Sequence, residues 1–250
     1  MANHVEKRSQ DGVMSLVLAR PEKKNALTGA MYDALVSAFA EASRDDRVGA
    51  ILLSGKGGVF TAGNDIGDFL RMSDSLDVTP AGRFLQTLAA FEKPIVAAVE
   101  GPAIGIGATL CFHCDLVYAA PSASFQMPFV NLALVPENAS SLLAPQRFGM
   151  AKASEYLLLG EAFGAAEAFR LGLVNEVIET PLLYAHGLAK AKALVAKPRA
   201  AMLATRKLLR GDANAILDRI AKENRAFREA VLSPDARAIF TAFLQKSKAS

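Results

Sequence analysis

The stretches Phe60-Thr-Ala-Gly-Asn-Asp-Ile66 and Gly101-Pro-Ala-Ile-Gly-Ile-Gly-Ala-Thr109 decide the fold. Each follows a strongly apolar run, residues 48–53 and 94–99, and each is predicted to open a helix. The first N–H groups of a helix have no partner within that helix and carry partial positive charge. Two such turns side by side can therefore hold an oxygen atom that becomes negative during a reaction.

The same order of strand, turn and helix recurs along the chain and predicts an α/β fold. A strand is expected at residues 13–19, and Thr28 is a suitable N-cap for a helix that reaches Ser43. Further strands are expected at 114–119, near Ser124 and at 174–178. Helices dominate from Ala151, with Gly160 as a helix end and Ser233-Pro234 as the start of the final helix. We expect a core at residues 1–190 and a helical region at 191–250.

Composition describes an ordinary globular protein of 250 residues with 52% hydrophobic residues. The net charge is only +3 and the basic residues are scattered except toward the C-terminus, so the sequence does not predict nucleic-acid binding. The apolar stretch 94–120 is interrupted by Glu100, Pro102, His113 and Asp115, which argues against a membrane span. The first residues contain no apolar targeting segment, and we expect a cytoplasmic protein. Residues 72–80 are polar and are predicted to form a mobile flap near the first glycine turn.

Cys111 and Cys114 form a Cys-x-x-Cys pair with His113 between them. Such a pair occurs in zinc and redox sites, but a structural zinc site needs about four ligands and the chain has no second pair. We interpret the two cysteines as buried thiols in a core helix and expect no metal.

Glu137 is a single carboxylate on the otherwise apolar stretch Val130-Asn-Leu-Ala-Leu-Val-Pro-Glu137. Apolar neighbours such as Leu134 and Val135 would desolvate its carboxylate and raise its pKa. One such acid beside two oxyanion donors is suited to moving a proton next to a carbonyl group. A solvated loop carboxylate is the other interpretation of this residue.

Four motifs taken together resemble the enoyl-CoA hydratase/isomerase (crotonase) superfamily, and the resemblance covers nearly the whole chain. They are Arg20-Pro-Glu-Lys-Lys-Asn-Ala-Leu27, the first glycine turn, Ala98-Val-Glu-Gly-Pro-Ala-Ile-Gly-Ile-Gly107 and Cys114-Asp-Leu-Val-Tyr-Ala119. The resemblance implies a spiral of repeated ββα units, a C-terminal helical region used in trimer formation, and an acyl-CoA thioester as substrate without a further cofactor. It also implies that the oxyanion N–H groups belong to Asn64 and Ile106.

Two positions indicate which reaction the chain catalyses. Hydratases of this superfamily use two glutamates, and the matching positions here hold Thr109 and Phe129, which do not exchange protons near neutral pH. The segment around Glu137 instead resembles the peroxisomal-type 3,2-enoyl-CoA isomerases, in which a glutamate at this place is the catalytic base. An isomerase needs only one such group, because the acid that takes a proton from C2 can return it at C4. Phe129 is expected to exclude water from the acyl pocket.

The same resemblance predicts that residues from both halves of the chain bind coenzyme A. Lys23, Lys24 and Ala26 are expected along the phosphates and the pantetheine arm, and the backbone near Ala62 and Ile66 at the adenine. Asp65 is expected at the start of a short helix beside the ligand, with Phe243 and Lys246 near the 3′-phosphate. Each lysine also fits an ordinary solvated surface charge.

Several alternatives stay open at this point. The nearest is a hydratase, or a bifunctional enzyme, in which Glu137 alone does the acid–base work. Dehalogenation or C–C bond cleavage share the same fold and oxyanion site. A non-catalytic acyl-CoA-binding protein is a candidate from a different class. A Ser-His-Asp hydrolase does not fit, because His4, His113 and His186 stand in no recognisable relation to a nucleophile. We expect a homotrimer or a dimer of trimers.

Overall fold

The computed structural model describes the backbone of residues 4–71 and 79–249, and their side chains except those of Arg71 and residues 246–249. Strands β1 to β9 of this part are Val5–Gln10, Val13–Leu18, Ala50–Gly55, Ile95–Val99, Pro102–Ile104, Leu116–Ala119, Ser124–Gln126, Ala162–Gly164 and Glu176–Val177. Helices α1 to α10 are Gly29–Arg44, Ile66–Arg71, Pro80–Ala90, Ile106–Cys111, Ser140–Leu159, Ala165–Arg170, Thr180–Val195, Arg199–Arg210, Ala213–Leu232 and Pro234–Ala249.

The main sheet has six strands in the order β1-β2-β3-β4-β6-β9, and only the β1–β2 pair is antiparallel. Its central strands are buried on both faces, as expected for a parallel sheet covered by helices. Ile51 and Leu53 point into a core shared with Phe39 of α1 and Phe84 of α3. Leu52 points to the opposite face, into a smaller core that α7 covers.

A second sheet of three strands, β5-β7-β8, accounts for the repeated unit. The chain runs twice from the main sheet to the second sheet and then into a helix, as β4-β5-α4 and as β6-β7-α5. In the two preceding units the second strand is reduced to isolated bridges. Leu27, before α1, pairs with Asn64, and Thr61, before α2, pairs with Ala103. These bridges continue the strand pairing of the second sheet beyond β5 and hold the two glycine turns next to each other. The fold is the expected mixed α/β spiral of ββα units.

The C-terminal helices pack on the core of the same chain. Phe69 of α2 contacts Phe227 of α9 and Phe240 of α10, with ring centroids 5.8 Å and 5.3 Å apart. Phe240 is fully buried. The predicted boundary between residues 190 and 191 falls inside α7, which packs on the main sheet through Leu183 and Ala191.

Several helix ends were predicted correctly from local residue signals. The Thr28 hydroxyl accepts a hydrogen bond from the Met31 N–H, Gly160 ends α5 with a φ of 64°, and the Ser233 hydroxyl accepts from the Ala236 N–H. The last strand is shorter than predicted, at two residues. The predicted flap lies almost wholly outside the described residues: residues 72–78 are not described, and Thr79 caps α3.

Cys111 and Cys114 are both fully buried, at the end of α4 and just after it. Their thiols donate to the carbonyl oxygens of Gly107 and Leu110. Burial raises the pKa of the Cys111 thiol to about 12, so this group is a poor nucleophile. Both cysteines contribute to packing, as the sequence indicated.

Candidate active site

The first glycine turn is fixed by hydrogen bonds that leave one N–H group outside the ladder. The Leu27 N–H donates to the Gly63 carbonyl at 2.8 Å, and the Asp65 N–H donates to the Leu27 carbonyl at 2.9 Å. In a parallel bridge of this kind the N–H of the middle residue, Asn64, points to the opposite side. Gly63 has a φ of +91°, a conformation that favours glycine.

The second glycine turn ends at Gly105, which precedes helix α4 with a φ of +56°. The Ala108 and Thr109 N–H groups donate to the Gly105 carbonyl, whereas Ile106 is the first helical residue and has no acceptor within the helix. The two turns touch closely: a Cβ atom added to Gly63 would lie 2.8 Å from the Ile104 carbonyl oxygen. The N–H groups predicted to form the oxyanion site therefore belong to adjacent turns.

Glu137 lies in the short segment before α5, and its side chain is only 5% exposed. Its oxygen Oε1 is buried and has no hydrogen-bond partner among the described residues. Burial, and then the nearby Glu223 carboxylate, raise the pKa of Glu137 to about 8, and a hydrogen bond from the Asn64 side chain opposes the shift. The sequence predicted both the burial and the direction of this pKa change.

Asn64 links the oxyanion turn to the carboxyl group. Its side-chain oxygen Oδ1 accepts a hydrogen bond from the Tyr32 hydroxyl, which leaves the amide N–H atoms to face Glu137. Tyr32 is on α1 and is buried at 3% exposure. Asn64 and Glu137 together line a small cavity of about 60 Å³, with Gly105 and Phe129 in its wall. The candidate donors and the candidate base thus meet at one point.

A larger cavity of about 450 Å³ extends from the same two residues. Its wall includes Phe69 of α2, Leu85 of α3 and Phe227 of α9, which are apolar side chains. Asn64 and Glu137 line it together with other polar or charged residues, which are Thr79, Gln86, Asn224, Arg225, Arg228 and Glu229. A cavity in which apolar side chains and converging polar groups meet is a common form of a small-molecule site.

The two positions at which hydratases carry glutamates are occupied by buried groups. Thr109 is fully buried, and its hydroxyl accepts from the Asn138 side chain at 3.4 Å. Phe129 is also buried and forms part of the small cavity.

The residues predicted to bind coenzyme A form two groups. One surrounds the first glycine turn and contains Lys23, Lys24, Ala26, Ala62, Asp65 and Ile66, and the other is on α10 and contains Phe243 and Lys246. Lys23 and Lys24 are exposed, and the Lys24 carbonyl accepts from the Ala62 N–H at 2.9 Å, which joins the two loops. Ala62 and Ile66 line the small cavity. The Ala26 carbonyl accepts from the Arg20 guanidinium.

Asp65 holds the turn together. One of its oxygens pairs with Arg20 at 2.8 Å, and the other accepts from the Gly67 N–H at 3.0 Å. Phe243 is half-exposed on α10 and is not among the described residues that line the two cavities. The side chain of Lys246 lies outside the described part of the chain.

The expectation of a single carboxylate in the site region is wrong, because Glu223 of α9 reaches the same region. It is 6% exposed and binds the backbone just after Glu137. A signal was present in the sequence: Glu223 falls on the apolar stripe of α9 that contains Ile220, Phe227 and Val231. An acid in such a stripe indicates a buried partner, but the sequence does not identify it.

None of the helices in the described part of the chain has the length and hydropathy that a membrane span requires.

Comparison with known proteins gives one consistent family. The family model described as Enoyl-CoA hydratase/isomerase matches residues 8–250. Enoyl-CoA delta isomerase 2 of Rattus norvegicus is 36% identical over 208 residues, which are 81% of this chain and 53% of that protein. A Rhodobacter capsulatus protein named probable enoyl-CoA hydratase is 35% identical over 240 residues, covering 94% of this chain and 93% of the relative.

Among solved structures, Pseudomonas aeruginosa OdaA superposes with a TM-score of 0.93 and is 39% identical, over 97% of this chain and 99% of that one. This chain spans about half the length of the enoyl-CoA delta isomerase 2 proteins that it matches.

Proposed function

Because the chain belongs to the enoyl-CoA hydratase/isomerase family, we propose that it is an isomerase that moves the double bond of a 3-enoyl-CoA thioester to the 2-enoyl position. The observation that carries the proposal is Glu137, a buried carboxyl group that lines the same cavity as Asn64. Its pKa of about 8 makes its carboxylate a stronger base than an exposed glutamate. The similarity to enoyl-CoA delta isomerase 2 supports the same reaction.

The reaction begins when the Glu137 carboxylate takes a proton from C2 of the thioester. The electron pair of the broken C–H bond passes into a dienolate that extends from the thioester oxygen to C4. The N–H groups of Asn64 and Ile106 stabilise the negative oxygen, each by on the order of 3 kcal/mol. The Glu137 carboxyl then returns its proton to C4, which leaves the double bond between C2 and C3 and restores the carboxylate.

Thr109 and Phe129 support isomerisation over hydration. Addition of water needs groups that activate it and deliver its proton, and neither a threonine hydroxyl nor a phenyl ring exchanges protons near neutral pH. The buried Phe129 ring beside the small cavity also limits the space for water. A dienolate in this site is thereby protected from side reactions.

Replacement of the base tests the proposal. Glu137→Gln should leave the fold and CoA binding intact and lower the turnover of 3-enoyl-CoA by at least about a hundredfold, because the amide cannot carry the proton. Glu161→Gln makes the same chemical change at an exposed position and serves as the matched control. Turnover of the Glu137 variant close to that of the wild type would remove Glu137 from the mechanism.

A 2-enoyl-CoA hydratase is the second candidate. It is favoured by the Rhodobacter capsulatus relative, which matches over nearly its full length. In that reaction Glu137 would orient and deprotonate water without a second acid. Turnover of any CoA thioester would exclude a non-catalytic acyl-CoA-binding protein.

The ligand, assembly and location form part of the same proposal. The substrate is an acyl-CoA thioester and no separate cofactor is required, because the carboxyl group and two N–H groups supply the chemistry. Exposed apolar side chains on α5 and α6, Met150, Leu158, Leu159 and Phe169, support assembly into a trimer or a dimer of trimers. We place the protein in the cytoplasm.

A further inference from the structure

Glu223 connects the outer helical region to the segment that carries Glu137. Its Oε2 accepts a hydrogen bond from the Ala139 N–H at 2.6 Å, and its Oε1 accepts one from the Ser141 N–H at 2.9 Å. The Ser141 hydroxyl also donates to Oε1. These donors stand at the start of α5, two and four residues after Glu137.

The start of α5 needs this support because its own sequence provides none. The N-cap residue, Ala139, has no side chain that can accept a hydrogen bond, and it has a φ of 57°. The preceding Asn138 has a φ of 61°. Two consecutive left-handed residues other than glycine are strained, and they persist only where the surroundings hold them. Glu223 supplies the missing cap from a distant helix.

The two buried acids differ in their partners. Burial raises the pKa of Glu223, but two N–H donors, one O–H donor and the positive end of α5 oppose that shift and favour its ionised form. We infer that Glu223 is the member of the pair that holds a negative charge. Glu137 has a buried oxygen without a partner among the described residues. When two carboxyl groups share a buried region, the better solvated one ionises first and the other keeps its proton to higher pH.

We propose that Glu223 is a positioning residue of this active site, which anchors the backbone after Glu137 and holds a fixed negative charge beside the base. The proposal rests on the proposed function, in which Glu137 is the base. It assigns a chemical role to a helix outside the repeated ββα units. The other ionisable groups around the pair are Arg219 on α9, Tyr32 on α1 with Asp68 of α2 near it, and Arg225, Arg228 and Glu229 on the cavity wall.

The test compares pH–rate profiles. Glu223→Gln keeps the shape of the side chain and one acceptor oxygen but removes the charge. The acid limb of kcat/KM for a 3-enoyl-CoA should move to lower pH by about one unit relative to the wild type. Asp218→Asn removes one charge from an exposed position of the same helix and should leave the limb in place. A Glu223→Gln enzyme that loses thermal stability but keeps the wild-type limb would overturn the proposal.

A titration of the wild type decides the question without activity and without a Glu223 variant. In carbon-13 spectra of protein with labelled glutamate carboxyls, the resonance lost in Glu137→Gln identifies Glu137. The proposal expects this resonance to titrate above neutral pH, with a second and smaller inflection where Glu223 ionises. One inflection near the ordinary pKa of 4.5 would contradict it. A wild type without isomerase activity but with both inflections would refute the proposed function alone.

Discussion

At the scale of the residue, the proposed isomerisation depends on one carboxyl group that is buried away from water, that of Glu137. A base must be unprotonated to act, and the pKa of Glu137 is raised to about 8 by burial and by Glu223. We expect kcat/KM for a 3-enoyl-CoA to rise about tenfold per pH unit below this pKa and to level off above it. Initial rates between about pH 5 and 10 measure this. A plateau that begins near the ordinary glutamate pKa of 4.5 would contradict it.

The sequence predicted these residues better than it predicted their support. The apolar stretch singled out Glu137, the family resemblance implied Asn64, and the structure brings the two residues to one cavity. The role of the Asn64 side chain was not predicted, because its partner Tyr32 is 32 positions away and resembles any core aromatic of α1. Roles that arise from backbone turns are visible in sequence, whereas contacts between side chains of distant elements are not.

At the scale of the element, the site depends on how closely the two glycine turns approach each other. The Gly63 Cα lies so near the Ile104 carbonyl that a Cβ atom would meet this oxygen at 2.8 Å. Likewise, a Cβ added to Gly107 of α4 would lie 2.6 Å from the Thr61 side chain. Glycine at these positions lets the two turns approach closely. We propose that this approach allows the Asn64 and Ile106 N–H groups to reach one oxygen.

A pair of alanine variants separates this contact from ordinary glycine strain. Gly149→Ala should cost on the order of 1 kcal/mol of stability through its φ of +75° and leave turnover unchanged, because nothing lies within 4 Å of the new methyl group. Gly63→Ala carries a similar φ penalty and also displaces Ile104. It should lose more stability and at least about tenfold in kcat. Thermal unfolding and steady-state kinetics measure both, and equal kcat values in the two variants would refute the argument.

The strands missed by the sequence analysis lack an apolar pattern, whereas helix α3 was missed although it has one, with Phe84, Leu85 and Leu88 buried. Strand β1 is polar and exposed except at Val5, since it is an edge strand, so nothing in its sequence distinguishes it from a loop. Strands β5 and β8 have three residues each, too few for alternation to appear. The buried strands β3 and β4 and the capped helix α1 were predicted to within two residues at each end. The two strands could be predicted because they are buried on both faces, and the helix could be predicted because Thr28 caps its start.

At the scale of the whole molecule, the C-terminal helices complete the site rather than only flank it. Phe227 and Phe240 close the apolar side of the core over Phe69, and Glu223 binds a backbone N–H 84 positions earlier in the chain. Local sequence patterns predict these helices only as an appendage, because the contacts that attach them to the core join residues far apart in the sequence. The exposed apolar residues of α5 and α6 support the proposed assembly.

We expect the protein to form a trimer or a dimer of trimers in solution. The exposed apolar side chains Met150, Leu158 and Phe169 would be covered at subunit contacts, which makes association favourable. Light scattering after size-exclusion chromatography measures the mass directly. A monomer at micromolar concentration would contradict this assembly.

The central claim concerns the reaction, and a parallel assay of one wild-type preparation with 3-enoyl-CoA and 2-enoyl-CoA tests it most directly. Glu137 is proposed as the base, and Thr109 and Phe129 cannot replace the acids that hydration needs. We predict fast conversion of the 3-enoyl to the 2-enoyl thioester, and hydration of the 2-enoyl thioester slower by at least about two orders of magnitude. Hydration as fast as isomerisation would contradict the account and leave Glu137 as a base that orients water by itself.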